Sequence, residues 1–290
     1  MTYLYLSSGE FGAAVLKNLD PLPSLVLTQP DRLGGRGMKT LLPTPVKEMA
    51  RELMLDLYDN LESLNEIPIP SFDFVLVADF GVIIPQKLLS QNRFLNVHPS
   101  LLPKHRGSSP LQAVLLVNEK ETGVTIIELD AKMDHGPIVS QEKLTVDIND
   151  TYSTLLYKTA KKGADLVNHL LTLKGQLHKR EQKHDEATYT KKLTKETGFV
   201  ELPLLVPHLV SLFTKYNLTH LTSENREGLQ ALELHNKVRA LNPWPGVWTA
   251  LKNETVVKIT ESKYDLSTQE IVGLTIKMNG KVYSTLPQNG

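Results

Sequence analysis

Short apolar runs alternate with helical spacings of apolar residues over the first 173 positions. The runs at 3–7, 25–28, 74–78, 95–98, 124–129 and 138–146 are predicted strands, and 74–78 is continuously apolar, as expected of a strand covered on both faces. Helices are predicted over 11–19, over 45–53 behind an N-cap at Thr44, over 110–117, and from a cap at Asp150 to Leu173. This alternation predicts an α/β domain with a largely parallel sheet.

The pattern changes after residue 195. Pro203 and Pro207 interrupt an apolar stretch, whereas 229–241 has helical spacing. Short strands are predicted over 256–259, 271–278 and 282–286, and Asn279-Gly280 is typical of a tight hairpin turn between the last two. We therefore expect three parts: a domain over 1–173, a linker over 174–195 and a small β-rich domain over 196–290.

Composition narrows the class of protein. The chain has 290 residues, of which 41% are hydrophobic and 22% charged, as is usual for soluble globular proteins. It contains no cysteine, no apolar run long enough to span a membrane and no signal-peptide pattern, so we expect a cytoplasmic protein. None of the nine histidines has the spacing to a second histidine and a glutamate that metallohydrolases use, so no metal is expected.

Charge is balanced overall but unevenly distributed. Residues 1–173 carry 16 basic and 20 acidic side chains, whereas residues 174–290 carry 16 basic and 12 acidic ones. The predicted linker 174–195 alone holds seven basic residues against three acidic ones. Taken alone, such a run is typical of a solvated linker, and the zero net charge argues against a general nucleic-acid binder.

The candidate chemistry lies at the end of the strand that precedes Pro99. Asn96 and His98 are two residues apart, so their side chains project from the same face at the carboxyl end of the strand, where open α/β sheets bind ligands. An amide donor beside an imidazole can stabilise an oxyanion and move a proton in acyl transfer. A polar strand end explains the pair equally well. Glycine-rich nucleotide motifs are absent, because 8–12 lacks the three-glycine spacing.

A carboxylate from a second loop could complete this pair. Asp134 follows the predicted strand 124–129 and could orient His98 from an adjacent strand end. By its spacing alone, Asp134 before Gly136 is more typical of a turn residue.

The block from Asn96 to Gly107, with Thr122-Gly123-Val124-Thr125 and Met133-Asp134-x-Gly136, resembles the folate-dependent formyltransferases. Their catalytic trio is an Asn, a His two residues later and an Asp in a second loop. The resemblance places this trio at Asn96, His98 and Asp134. It implies a mostly parallel Rossmann-like sheet with helices on both faces, followed by a small OB-like domain.

Further blocks are similar to the methionyl-tRNA branch of that family. They are 28–37 with 43–47, Tyr189-Thr190-x-Lys192-Leu193-Thr194-Lys195-Glu196, and Asn242-Pro243-Trp244-Pro245-Gly246. The resemblance implies that a glycine-containing loop at 34–37, which we expect to be mobile, grips the tRNA acceptor stem. The cations assigned to tRNA are Arg32, Arg36, Lys39 and Lys192. Both tryptophans fall within 242–248, which we interpret chiefly as a packing element.

The activity implied by the resemblance is transfer of the formyl group of 10-formyltetrahydrofolate to initiator Met-tRNA, without a metal and by a monomer of bacterial type. The chain differs from the family pattern in having Ser8-Gly9-Glu10-Phe11 for Gly-Thr-Pro-x-Phe, and Ala78-Asp79-Phe80-Gly81 for Ala-Tyr-Gly. The residues assigned to folate are Ala78, Asp79, Phe80, Gly81, Ser100, Leu101, Leu102, Pro103, Asp130 and Met133.

Three alternatives are less well supported. A sugar-nucleotide N-formyltransferase shares the trio but leaves the loop around Arg36 without a role. A formyltetrahydrofolate hydrolase shares the trio too, but such an enzyme is expected to carry a regulatory domain before the first strand, and none precedes Met1 in this sequence. A non-catalytic tRNA-binding protein has no reason to keep Asn96, His98 and Asp134 together.

Overall fold

The computed structural model describes residues 1–34, 39–60, 67–173, 177–216, 229–251 and 254–286. By its internal contacts the chain divides into two units. The first comprises Met1–Pro110, Glu121–Thr145 and Leu156–Thr190, and the second comprises Leu111–Lys120, Val146–Leu155 and Lys191–Gly290. No helix within these described ranges is long and apolar enough to cross a membrane.

The first unit is built on a seven-stranded sheet. Its strands are β1 (Tyr3–Ser7), β2 (Leu25–Leu27), β5 (Leu57–Tyr58), β6 (Phe74–Ala78), β7 (Phe94–His98), β8 (Glu121–Glu128) and β9 (Ile138–Thr145). They lie in the order β5-β2-β1-β6-β7-β8-β9. The five strands from β5 to β7 are parallel to one another, whereas β8 and β9 pair antiparallel. The predicted mostly parallel sheet is therefore confirmed.

Two further strands form a separate hairpin. β3 (Arg32–Gly34) pairs antiparallel with β4 (Thr40–Leu42), with Arg32 opposite Leu42 and Gly34 opposite Thr40. The sequence predicted only a loop here. The glycines and Arg36 between the two strands lie outside the described residues.

In the described residues, four α-helices lie between these strands along the chain, and a fifth follows β9: α1 (Glu10–Leu16), α2 (Pro45–Glu52), α3 (Gln86–Leu89), α4 (Pro110–Leu116) and then α5 (Tyr152–Thr172). The predicted cap of α2 is confirmed, because the Thr44 hydroxyl accepts a hydrogen bond from the backbone N–H of Lys47 and Pro45 opens the helix. The sheet core is apolar on its inner strands, and all five residues of β1 and all five of β6 are buried.

The predicted cap of α5 is wrong by one residue. The hydroxyl of Thr151, not the carboxylate of Asp150, accepts the hydrogen bond from the Thr154 backbone N–H. Asp150 instead accepts from the Asp147 backbone N–H and from the Thr154 hydroxyl, so it closes the turn that precedes the helix. Sequence alone could not separate these roles, because Asp and Thr are both good N-cap residues.

Among its described residues, the second unit contains most of α4, the first turn of α5, two further helices and an antiparallel sheet. The two further helices are α6 (Leu202–Lys215) and α7 (Ala231–Leu241), and the strands are β10 (Val247–Ala250), β11 (Val256–Asp265), β12 (Glu270–Met278) and β13 (Lys281–Ser284). Consecutive strands pair in the order β10-β11-β12-β13. Asn279 and Gly280 both have positive φ angles, 48° and 76°, so the predicted hairpin turn is confirmed.

One prediction for this unit is wrong, and the prediction that 242–248 is a packing element is met only in part. The prolines were expected to break up the apolar stretch near 203–207, but Pro203 lies in the first turn of α6 and Pro207 lies within the helix. Trp244 is not a packing residue, since it exposes 58% of its surface. Trp248 does pack, with its ring centroid 4.8 Å from that of Phe199 and its indole N–H donating to the carbonyl of Lys195.

Candidate active site

Strand β7 carries Asn96 and His98 to the carboxyl end of the parallel strands. Asn96 lies opposite Val77 of β6 and Ile127 of β8, and His98 lies opposite Thr125 of β8. Their alternation puts both side chains on one face of the sheet, as predicted. The strand ends at His98, immediately before Pro99.

The His98 ring is buried, with 5% of the residue exposed, and both ring nitrogens face oxygen acceptors. Its Nε2 lies 3.0 Å from the carbonyl oxygen of His105, and its Nδ1 lies 3.6 Å from Oδ1 of Asp134. A carbonyl oxygen only accepts hydrogen bonds, so Nε2 of His98 carries the proton in its contact with His105. The ring therefore presents an N–H donor at Nε2.

Asp134 reaches His98 from the loop between β8 and β9. Its backbone φ is +49°, a left-handed conformation that Asp tolerates better than most residues. Its Oδ2 accepts a hydrogen bond from the backbone N–H of Gly107 at 2.7 Å. Gly136 is needed in this loop, because a Cβ there would overlap the carbonyl oxygen of Glu128. Asp134 is thus both a turn residue and a neighbour of His98.

The loop that follows β7 is held by a later segment of the chain. Arg106 pairs with Tyr189 in an isolated parallel bridge, in which Arg106 N donates to the carbonyl of Thr188 and Thr190 N donates to the carbonyl of Arg106. Gly107 has a φ of +107°, and a Cβ there would lie 2.8 Å from the Thr190 hydroxyl oxygen. The Tyr189-Thr190 block therefore supports the loop that carries His105 and Gly107.

Sequence reasoning missed the side chains that fix this loop. Arg106 and Gln182 are buried and hydrogen-bonded to each other, and Arg106 also donates to the Tyr189 hydroxyl. Arg106 could have been noticed as a cation inside the motif block. Gln182 carries no local signal, because its partners lie 46 to 76 residues away along the chain.

The first segment assigned to folate is partly internal to the protein. Ala78 and the Phe80 side chain are buried, and the Phe80 carbonyl accepts a hydrogen bond from Gln29. Asp79 and Gly81 are exposed and have positive φ angles, 49° and 71°. Of this segment, only the Asp79 side chain and the backbone around Gly81 are accessible to a ligand.

The Asp79 carboxylate lies against Gly9, where any Cβ would overlap it. The backbone N–H groups of Ser8 and Gly9 both donate to the Asp79 carbonyl. Although part of the residue is exposed, the protein atoms around its carboxyl group displace water from it, and this desolvation raises the pKa of Asp79 to about 6, with the negative charge of Glu10 adding to the shift. The two departures from the family pattern are therefore in contact, since Gly9 leaves the room that Asp79 occupies.

The remaining residues assigned to folate also include both buried and exposed side chains. The Ser100 hydroxyl donates to the Lys104 carbonyl, and Leu102 is buried against Ile127 and Ile138. The Asp130 carboxylate accepts from the Lys132 backbone N–H and lies 2.6 Å from Nδ1 of His135. Leu101 and Pro103 are half-buried, whereas Met133 exposes 64% of its surface.

The cations assigned to tRNA that the structure describes are all exposed: Arg32, Lys39 and Lys192. Arg36 lies outside the described residues. The nearby Lys47 differs from them, because it is buried and its Nζ lies 2.6 Å from Asp31 and 2.5 Å from Asp59. Hydrogen bonds to these carboxylates raise the pKa of Lys47, so it joins the base of the hairpin to the sheet as a cation.

No three His, Asp or Glu side chains in the described part of the chain are grouped closely enough to hold a metal ion. The arrangement instead offers an amide, an imidazole and a carboxylate. These groups can stabilise an oxyanion and transfer protons without one.

Comparison with known proteins identifies the family. The sequence profile described as formyl transferase matches residues 15–171, and the profile described as formyl transferase, C-terminal domain, matches residues 229–285. The methionyl-tRNA formyltransferase of Macrococcus caseolyticus is 32% identical over 253 residues, which cover 83% of this chain and 73% of the relative.

Solved structures share the fold. The methionyl-tRNA formyltransferase from Clostridium thermocellum superposes with a TM-score of 0.61 at 15% identity, covering 96% of this chain and 98% of the other. A sugar N-formyltransferase from Shewanella also superposes with a TM-score of 0.61, at 17% identity, covering 92% and 99%. At such identities the likeness concerns the fold, whereas the sequence relatives narrow the family. The chain therefore belongs to the formyltransferase family and, within it, to the methionyl-tRNA formyltransferases.

Proposed function

We propose that this chain transfers the formyl group of 10-formyltetrahydrofolate to the methionyl α-amine of initiator Met-tRNA, for use in translation initiation. The observation that carries the proposal is the His98–Asp134 contact, with Asn96 on the same strand face. The sequence relatives supply the acceptor, since they are named methionyl-tRNA formyltransferases. The proposed setting is the bacterial cytoplasm, and no step of the reaction needs a second copy of the chain.

The reaction needs one bond to form and one to break. The neutral α-amine attacks the formyl carbon, and the formyl oxygen becomes an oxyanion to which the Asn96 amide donates a hydrogen bond. The carbon–nitrogen bond to folate then breaks, the carbonyl reforms and the folate nitrogen takes a proton. The amine loses its proton to Asp134, directly or through water.

His98 serves this reaction as a proton donor. Its Nε2 donates to the His105 carbonyl, and the Asp134 carboxylate lies 3.6 Å from its Nδ1. His98 either assists Asn96 at the oxyanion or protonates the leaving folate nitrogen. The Nε2 proton, which here goes to the His105 carbonyl, is the one that substrate atoms would compete for.

The pterin is proposed to lie against 78–81 and 130–134, held largely by backbone groups. The exposed backbone at Gly81 and the exposed Met133 support this placement. Phe80 contributes through its backbone, because its side chain packs in the core with Val77 and Leu88.

We assign binding of the tRNA substrate first to the β3–β4 hairpin. Arg32 and Lys39 are exposed on it, and they supply charge for phosphate groups without reading bases. Leu33 and Leu41 face each other across the hairpin and are also exposed, so the same element offers apolar contact area.

The sheet of the second unit supports a second contact with a polyanion. Lys258 of β11 lies directly opposite Lys277 of β12, and both are exposed. Like charges opposite each other destabilise a sheet, and phosphate groups on that face would offset the repulsion. Trp248 is the next residue across from Lys258, and Lys195 Nζ lies 5.5 Å from the centroid of its ring.

Formyl transfer to charged tRNA tests the proposal. Purified protein with 10-formyltetrahydrofolate and methionyl initiator tRNA should give formylmethionyl-tRNA, and His98→Ala should remove most of that rate. Product formed equally fast by His98→Ala would reject the site, and no product from the wild type would reject the function.

A further inference from the structure

Gln182 lies beside the proposed catalytic loops and uses its whole hydrogen-bonding capacity there. The residue is buried, with 5% of its surface exposed. Its Nε2 donates to the carbonyl of Asp134 at 2.9 Å and to that of Gly136 at 2.7 Å. Its Oε1 accepts from Nη2 of Arg106 at 2.6 Å and from Nε of Arg106 at 3.2 Å. One side chain thus joins the Asp134 loop to the loop after β7.

The chemistry of the partners fixes the orientation of this amide. Carbonyl oxygens only accept hydrogen bonds, and a guanidinium only donates them. The Gln182 amide therefore has one orientation that satisfies all four contacts. A carboxylate in its place would keep the guanidinium but set oxygen against the carbonyl oxygens of Asp134 and Gly136.

Arg106, which Gln182 contacts in the loop after β7, is itself held by further hydrogen bonds. The residue is 1% exposed, and Nη1 donates to the Tyr189 hydroxyl while Nη2 lies 2.9 Å from Nδ1 of His184. Its neighbours in the chain are the two residues whose backbones touch the site. His105 offers its carbonyl to His98, and Gly107 donates its N–H to Asp134.

We propose that Gln182 is a positioning residue that acts through Asp134. It fixes the backbone of the Asp134 loop relative to the loop that carries Arg106, so that the Asp134 carboxylate reaches both His98 and the Gly107 N–H. Only the kinetic consequence of this positioning role rests on the proposed function. Gln182 touches neither His98 nor Asn96 through any contact that the structure describes, so its effect must pass through the backbone of Asp134.

A substrate-free measurement tests the positioning itself. The Gly107 amide donates to a carboxylate at 2.7 Å, so its proton should resonate downfield and exchange slowly with solvent. In Gln182→Leu we expect that proton to move upfield and to exchange at least about tenfold faster. Gln182→Glu keeps the side-chain volume and the Arg106 contacts, and it should shift the same proton in the same direction.

Gln141→Leu is the matched control for this measurement. Gln141 also donates two hydrogen bonds, to the Leu102 carbonyl and the Thr125 hydroxyl, both at 2.8 Å, but it does not contact Asp134. It should lower Tm as Gln182→Leu does while leaving the Gly107 amide unchanged. Equal changes at Gly107 in both variants, or none in either Gln182 variant, would overturn the proposal.

A kinetic cycle tests whether the effect passes through Asp134. In the wild-type background, Gln182→Leu should lower kcat about tenfold with both KM values within about twofold, because a small misplacement of a reacting group is costly. In an Asp134→Asn background the same substitution should change kcat less than about twofold. A full tenfold loss in that background would show that Gln182 acts by another route. An inactive wild type would reject the proposed function and leave the Gly107 result to decide the positioning.

Discussion

One carboxylate, that of Asp134, lies 3.6 Å from His98 Nδ1 through Oδ1 and accepts the Gly107 backbone N–H at 2.7 Å through Oδ2. The Gly107 N–H therefore holds Oδ2, the carboxylate oxygen that does not face His98. Because that bond is short and charge-assisted, the other oxygen is held in place toward the imidazole ring. One carboxylate oxygen therefore holds the side chain in place, and the other faces the imidazole ring that takes part in the proposed reaction.

Asp134→Asn should lower kcat at least about a hundredfold, because the amide keeps the size of the side chain but loses the charge that faces His98. KM for the folate donor should change little. The measurement is steady-state formyl transfer at saturating tRNA, with Asp165→Asn on the exposed face of α5 as the control. A loss below about threefold would remove Asp134 from the reaction.

Asn96→Ala should also cost at least about a hundredfold in kcat, because an oxyanion donor is worth that much when it is removed. His98→Ala should do the same, with folate binding little changed in both. Asn92→Ala is the matched control. Asn92 lies before the same strand and donates to the Ile69 and Phe72 carbonyls, so that variant should lose stability and keep its kcat. Near-normal turnover in Asn96→Ala would contradict its role.

Arg32→Ala and Lys39→Ala should each raise KM for charged tRNA. Each should also lower the slope of log KM against log salt by roughly one unit for every phosphate group that the variant no longer neutralises. Arg36→Ala is expected to have the largest effect of the three. Lys17→Ala, an exposed lysine after α1, should leave both quantities unchanged. An unchanged salt slope in all three hairpin variants would reject the hairpin as a tRNA-binding element.

Lys277→Thr should have opposite effects on stability and on binding. It removes one member of the Lys258–Lys277 pair, so the free energy of unfolding should rise by a few tenths of a kcal/mol, about 0.2–1. Affinity for tRNA should fall at low salt, because a phosphate-binding charge is removed. Chemical denaturation and a filter-binding titration measure the two effects. Unchanged affinity would remove this sheet face from the tRNA interface.

Asp79→Asn should stabilise the protein above pH 6 but not at pH 4. With its pKa raised to about 6, Asp79 binds more protons in the folded than in the unfolded chain, so wild-type stability falls as pH rises from 4 to 6. A shift of this size corresponds to at most about 3 kcal/mol, and the exposure of the residue reduces it to on the order of 1 kcal/mol. Asn tolerates the positive φ of this position.

Denaturant unfolding of both proteins at pH 4 and pH 7.5 measures this difference. Asp165→Asn, which changes an exposed carboxylate of α5, is the control for the substitution itself. Parallel curves for Asp79→Asn and wild type across the range would mean that the Asp79 carboxyl is not perturbed.

Much of the fold was predictable because its signals are local. The apolar run of β6, the Thr44-Pro45 start of α2 and the Asn279-Gly280 turn each involve neighbours in the sequence. Helix α6 was missed because Pro207 is unfavourable within a helix, and only the packing of its buried leucines overrides that preference.

The candidate site, like the fold, has a part that local sequence predicts and a part that it does not. Asn96 and His98 share a strand, so their common face followed from the period of a strand. The position of Asp134 next to His98 depends on the pairing of β7 with β8, and Gln182 reaches Arg106 across 76 residues of chain. No local pattern encodes such contacts, and the motif resemblance supplied only the first of them.

The most direct test of the account is a comparison of acceptors with one preparation of enzyme and 10-formyltetrahydrofolate. Methionyl initiator tRNA, an amino-sugar nucleotide and no acceptor are assayed side by side for formylated product and for free formate. We expect formyl transfer to the tRNA and to no other acceptor. Transfer to the sugar nucleotide instead, or formate released at the same rate without an acceptor, would contradict it.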